Sequence, residues 1–457
     1  MILRTLALSL LIALSGTPLV TQAETLHLST AMATARERAQ EVLAAEARVA
    51  AGQARFRQAK GYRAPQISFQ EMWIRTNNPA EVFAFQLNQG RFSFNDFVVS
   101  DPNNPDYLNN ATSRFLLTMP LYTGGELAGR IDQARLAARA AEIEAVWIEN
   151  SAALAAAEAY IRLSQARENV ALLDHVLKTV EAHVQLARAY VDQGMLVRSE
   201  LLRAEVERSR IEDLLIEARG KARVAQSNLS FRLGADPSRE WDLQPLPDPE
   251  PLAEELQVWL STADNRADLV AARHMLQAAE LEIKVKRSAL LPKIGMAARY
   301  DMFSDQVFTS DNDSAAVMAM LSVDLFSGNR HRSARAAAEA DHLAGQQQIA
   351  QFTEGIRLEV RDAYERAITA RERFLTAQAA QQAAVEVERI TEERFKQGVV
   401  KMIELVDATT ALQETQAREL VARAEAHLTS IALAAKAGRR PEEMLTIHQD
   451  TGTRNES

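Results

Sequence analysis

At 457 residues the chain is long enough for two or three ordinary domains. It carries only 17 Gly and 13 Pro and is rich in Ala, Glu, Arg and Leu, which points to long helices rather than a mixed globule. A formal charge of −9, with acidic and basic residues interspersed, argues against a nucleic-acid surface. The absence of cysteine excludes disulfides, thiolate metal sites, cysteine nucleophiles and a lipid carried on an N-terminal cysteine.

Arg4, the apolar run Leu6–Leu14 and the small-residue site Thr21-Gln22-Ala23 read as a secretory signal segment over 1–23, with Glu24 the expected first mature residue. No later apolar run is long enough for a membrane-spanning helix, so any entry into a membrane must be as β structure. A first repeat is expected over 24–236. It opens with helical periodicity over Leu28–Lys60, followed by period-two strands at 66–76 and 113–121, with 77–112 between them read as a long loop. That loop holds Phe83, Phe85, Phe92, Phe94, Phe97 and Tyr107, read either as a plug or aromatic belt or as a small self-contained cluster.

Leu127–Asp192 predicts a helix of 66 residues, about 100 Å at 1.5 Å per residue. Inside it Val170, Leu173, Leu177, Val180, Val184, Ala187 and Val191 alternate at spacings of three and four, a coiled-coil seam. Gly194 ends the helix and a returning helix covers Arg198–Leu233. A Pro-rich segment, 237–262, separates the halves.

The second repeat, 263–438, follows the same plan: a helix over Asn265–Leu290, strands at 293–303 and 315–326, and a long hairpin with its tip near Gly398, before a tail at 439–457. Leu121 to Gly194 is 73 residues and Phe326 to Gly398 is 72, which supports a duplication. Ile294, Met296, Ala298, Tyr300 and Met302 alternate with Lys293, Gly295, Ala297, Arg299 and Asp301, the apolar-out, polar-in pattern of a membrane barrel strand. Four strands cannot close a barrel, and lipid tolerates no open edge, so several chains must pool their strands. The expected fold class is mainly α with a small β membrane part.

Five motifs in order carry a family resemblance: Tyr62-Arg63-Ala64-Pro65-Gln66-Ile67, Met119-Pro120-Leu121-Tyr122-Thr123-Gly124-Gly125, Arg266-Ala267-Asp268-Leu269, Val323-Asp324-Leu325-Phe326-Ser327-Gly328, and Ile403-Glu404-Leu405-Val406-Asp407-Ala408-Thr409-Thr410. With them the chain resembles the TolC-like outer-membrane efflux channels over nearly all of its mature length. The resemblance implies a homotrimer in outer-membrane lipid, with a 12-stranded barrel on an α-helical periplasmic tunnel. It also implies a passive exit conduit of a tripartite efflux or secretion system, with a periplasmic adaptor (membrane fusion) protein and an inner-membrane pump as partners. The alternative is a soluble periplasmic coiled-coil adaptor or scaffold, which should carry a Gly-rich lipoyl-like β domain that is not visible. No phosphate loop, nucleophile elbow or zinc-protease signature is present, so no enzyme activity and no cofactor or metal is expected.

Glu404 and Asp407 share one helical face. Read alone, they are acids near a helix start that complement its dipole. The resemblance makes them the acidic rings of the pore constriction. It also places adaptor contact at the tips, Gly194, Met195, Leu196 and Val197 and Gly398, Val399 and Val400. A polar latch closing the tip would match Ser199, Glu200, Phe395 and Val400. Phe395 and Val400 carry no side-chain hydrogen-bonding group, so the latch must differ, with Lys396, Lys401 and Arg198 as nearby cations.

Overall fold

A computed structural model describes residues 25–99 and 101–444; the signal segment expected at 1–23 and the tail from 445 lie outside them. In chain order the elements are β1 (Thr25–Leu26), α1 (Leu28–Arg38), α2 (Gln40–Gly61), β2 (Gln66–Thr76), α3 (Pro79–Asn88), α4 (Asp96–Val99), β3 (Leu108–Tyr122), α5 (Glu126–Asp192) and α6 (Arg198–Arg232). They continue with β4 (Asp242–Leu243), α7 (Leu256–Ala263), α8 (Ala267–Ser288), β5 (Lys293–Ser304), β6 (Asn312–Ser322), α9 (Arg330–Lys396) and α10 (Met402–Lys436). The two long hairpins have identical helix lengths, 67 and 35 residues in each half. The shorter helices before the strand pairs, α2 and α8, are 22 residues each.

Several boundaries differ from the sequence reading. The helix expected over Leu28–Lys60 breaks at Ala39, which is extended at φ −61°, ψ 136°, although neither Gly nor Pro marks the position. The expected loop 77–112 contains α3 and α4 and the first residues of β3. The α3 helix starts because the Asn78 side chain accepts hydrogen bonds from the Ala80 and Glu81 amides, with Pro79 at the first position. The second strand therefore begins five residues before 113. The fourth strand is shifted to Asn312–Ser322, leaving Leu325 and Phe326 exposed beyond it. The Pro-rich segment is not bare linker either, since β4 within it pairs in parallel with β1.

The chain packs as two compact units, each taking segments from both halves. One takes 25–34, Ala155–Glu250 and Arg371–Leu428. Its centre is the predicted seam: Leu173, Val180, Val184 and Ala187 of α5 are buried, and Leu173, Val176 and Val180 meet Ile211, Leu215 and Ala218 of α6. Tyr160 of α5 donates its hydroxyl to the carbonyls of Leu26 and Gln244, at 2.9 and 2.8 Å, fixing the β1–β4 bridge. Burial raises that phenol's pKa to about 12, so it stays a donor.

The other unit takes Ala35–Leu154, Pro251–Ala370 and 429–444. Its helical core joins Trp259, Leu260 and Leu269 to Ile356, Val360, Leu433 and Ala437. Arg266, the first residue of the Arg-Ala-Asp-Leu motif, has a side chain only 2% exposed beside that core. Its guanidinium donates to both oxygens of Asp268 at 2.8 Å, to Glu359 at 3.0 Å and to the Lys436 carbonyl at 3.1 Å, and it stacks over Trp147 at 4.6 Å. The same unit carries an antiparallel sheet in the order β2-β3-β5-β6, whose outer strands β2 and β6 each have one edge unpaired among the described residues.

Candidate functional site

Both hairpin tips turn by the same device. Gly194 and Gly398 lie at φ +73° and +74°, which L side chains rarely adopt. The Gly194 amide donates to Val191 and the Met195 amide to Tyr190; likewise the Gly398 amide donates to Phe395 and the Val399 amide to Arg394. These paired bonds are Schellman caps that satisfy the last carbonyls of α5 and α9. A Cβ at either glycine would meet nothing within 4 Å, so substitution acts through the backbone alone. Gly194→Val or Gly398→Val is expected to destabilise its tip by about 1–2 kcal/mol. Faster amide hydrogen exchange confined to that tip checks this; unchanged exchange would show that the left-handed turn carries no strain.

The tips pack on each other. Phe395, 2% exposed, sits with Val184, Ala187, Ala204, Met402 and Leu405, and its ring stacks on Tyr190 at 6.0 Å. Phe395 is thus a core residue of the tip pair and offers no outer surface in the chain. Val400 and Leu196 are half-buried against the same cluster. Met195 and Val399, by contrast, are each 61% exposed, and Val197 and Ser199 also face outward. Glu200 is half-buried, and its Oε2 has no hydrogen-bond partner among the described residues. Of the cations weighed as latch substitutes, Lys396 is paired with Glu392 at 2.7 Å, and Arg198 and Lys401 are exposed.

Glu404 and Asp407 both lie on the exposed side of the first turns of α10. Glu404 reaches back to accept from the Lys401 amide at 3.3 Å, half of a capping box, so its helix-start role is present in the geometry. Farther along the same helix is a bridge the sequence reading missed. Glu207 of α6, buried, accepts from Thr410 at 3.2 Å and from Arg210 at 2.6 Å, and Arg210 also donates to Gln413 at 3.4 Å. The two hairpins are therefore joined by polar contacts at Thr410 and Gln413, about two turns past Glu404. The signal available was the i, i+3 pairing of Glu207 with Arg210 and of Thr410 with Gln413. On the α5 side, burial holds the His183 imidazole below its ordinary pKa range, with Glu392 opposing and Lys396 reinforcing the shift.

The sheet has two unlike faces. Register places Ile67, Leu117, Ala298 and Val317 in one row, with Phe69, Phe115, Tyr300 and Ala315 in the next, all on one side. The other side carries Gln70, Arg114, Asp301 and Ser314. There Arg114 grips Asp301 with bonds of 2.7 and 3.0 Å, Arg299 adds an ion pair at 3.0 Å, and Asp301 itself is only 2% exposed. Gln89, at the end of α3, donates to the Asn109 and Ser304 carbonyls and to the Asn110 side chain, tying the β2–β3 connection to the sheet end. Phe83, Phe92 and Phe94 make edge-on ring contacts within that connection.

Residues 31–235 and 260–439 match the family model of the outer membrane efflux protein. The chain belongs to the outer membrane efflux protein family. It is 25% identical over 228 residues to the outer membrane efflux protein BepC of Brucella suis biovar 1 (strain 1330), a match covering 49% of this chain and 49% of BepC. The alignment spans about half the length of that relative. The fold of the chain is similar to that of VceC, an outer membrane protein of Vibrio cholerae, with a TM-score of 0.73 at 19% identity over 90% of this chain and 96% of VceC. It is also similar to the CmeC outer membrane channel of Campylobacter jejuni, with a TM-score of 0.74 at 13% identity over 93% and 89% of the two chains. Among the described residues, no helix is long and apolar enough to cross a membrane. The four-stranded sheet is the part with a lipid-compatible face.

Proposed function

We propose that the chain is the outer-membrane exit channel of a tripartite efflux or secretion system, a passive conduit from periplasm to exterior. The observation that carries this reading is the sheet: one apolar face, one polar face, and two unpaired edges. Unpaired backbone groups are not tolerated in hydrocarbon, so the sheet must close against copies of itself. Three chains pool twelve strands, within the range of membrane barrels, whereas one chain's four fall below it. A soluble adaptor would leave the apolar face in water, and nothing in the fold favours that assignment.

In this reading the hairpins form the periplasmic part, opened by an adaptor and an inner-membrane pump. Met195, Val197 and Val399 are the exposed apolar contacts for the adaptor, with Gly194 and Gly398 shaping the turns and Leu196 and Val400 half-buried beneath. Phe395 holds the tips together from inside. Ser199, exposed beside the half-buried Glu200, supplies a polar contact for a group from another chain.

Glu404 and Asp407 from three chains would place six carboxylates around the axis, favouring cations. Purified protein in planar bilayers tests both parts. Stable conductance steps with cation preference and blockade by trivalent cations are expected. Glu404→Gln with Asp407→Asn should abolish the blockade while keeping the conductance. No conductance from assembled protein would end the channel reading; unchanged blockade in the double variant would leave the two acids as helix-start residues only.

A further inference from the structure

On its polar face the sheet departs from polar character at one end. Register puts Thr118, Ala297 and Met318 in one row, and Pro120, Gly295 and Met320 in the next. Met318 and Met320 are exposed on β6, the latter at 69%. Two exposed thioethers thus lie on the side that carries Arg114, Asp301 and Arg299 farther along. They border an open groove of about 830 Å³ between the sheet and the first turns of α5, lined also by Tyr62, Leu127 and Pro120. That volume falls in the range of sites for drug-sized ligands, and methionine side chains adapt to ligands of varied shape.

The charges around the groove have one uncompensated sign. Glu126 and Arg130, both on the wall, are paired with Lys293 at 2.7 Å and with Glu282 at 3.1 Å. Arg299 lies on the same face two residues along β5 from Ala297, roughly 7 Å away at the rise of a strand. Its own row, Ser68, Leu116, Arg299 and Ala316, contains no acid. The next row holds Arg114 and the nearly covered Asp301, so two guanidiniums share one carboxylate.

We propose that this end of the polar face is a binding site for amphipathic organic anions, the apolar body resting in the groove over Met318 and Met320 and the anionic group on Arg299. The inference deepens the conduit reading, since it needs this face to line the path, and it gives that path a preferred class of cargo. The site holds a transiting molecule weakly and releases it.

The test uses the assembled protein in lipid nanodiscs, with 2-naphthalenesulfonate as the probe and 2-naphthylmethylammonium as the matched cation. Equilibrium dialysis against empty nanodiscs removes the lipid contribution. Saturable binding of the sulfonate and not of the ammonium is expected. Arg299→Gln should weaken binding roughly tenfold, Arg299→Lys should restore most of it, and Met318→Ser with Met320→Ser should weaken it comparably, as expected when a charge-assisted contact or a buried apolar contact is lost. Equal binding of the two ions, no saturable binding, or variants that match the wild type would overturn the site. Conductance of the same preparation keeps the two readings apart: a conducting wild type without charge-selective binding rejects the site alone, and a non-conducting one rejects the conduit and the site with it.

Discussion

Replacing Arg266 by alanine is expected to cost about 3–5 kcal/mol of stability, the range for removing one partner of a buried ion pair. The residue's side chain is 2% exposed and serves Asp268, Glu359 and the Lys436 carbonyl together, so its loss removes a buried guanidinium that joins α8, α9 and α10. Trp147 also loses its stacked cation. Lysine should not rescue it, because a point charge cannot make the two-pronged bond to Asp268. A clear fall in the melting temperature of the purified protein for both variants checks this. A melting temperature within error of the wild type would show that the cluster is a bystander.

Removing β5 and β6 is expected to abolish membrane assembly outright. The deletion of Lys293–Ser322, joined by a short Gly-Ser link, leaves two of the four strands. Three copies would then pool six strands, short of the eight at which membrane barrels begin. No heat-modifiable oligomer should be recovered from outer membranes, and the chain should be found in aggregates or proteolysed. Normal oligomers from the deleted chain would mean that the sheet is not the membrane part.

Much of this architecture was legible because its signals are periodic and repeated. The seam from Val170 to Val191, the two Gly tips and the alternating Lys293–Phe303 stretch each follow from spacing alone, and the duplicated lengths reinforce them. What escaped depends on contacts distant in sequence. Nothing local marks the break at Ala39. The α3 helix was missed although Asn78-Pro79 is a good helix start, because the surrounding Asn, Asp and Pro outweigh it. The ends of β3 and β6 are set by their neighbours across the sheet rather than by their own pattern. At the tips, the sequence showed that Phe395 and Val400 cannot form a polar latch, but it could not show that Phe395 is instead core, stacked on Tyr190. The Glu207–Thr410 contact spans 203 residues and joins different halves, so only the fold reveals it.

Closure between copies is tested most directly by joining the two free edges. The natural chain has no cysteine, so introduced thiols have no competitors. With Ser68→Cys on β2 combined in turn with Ser314→Cys, Ala316→Cys or Met318→Cys on β6, at least one pair should fall within disulfide reach of a neighbouring copy. Oxidation in intact outer membranes should then give a covalent ladder that stops at three chains. A chain that stays uncrosslinked at every position, or a ladder that continues past three, would contradict a barrel pooled from three copies.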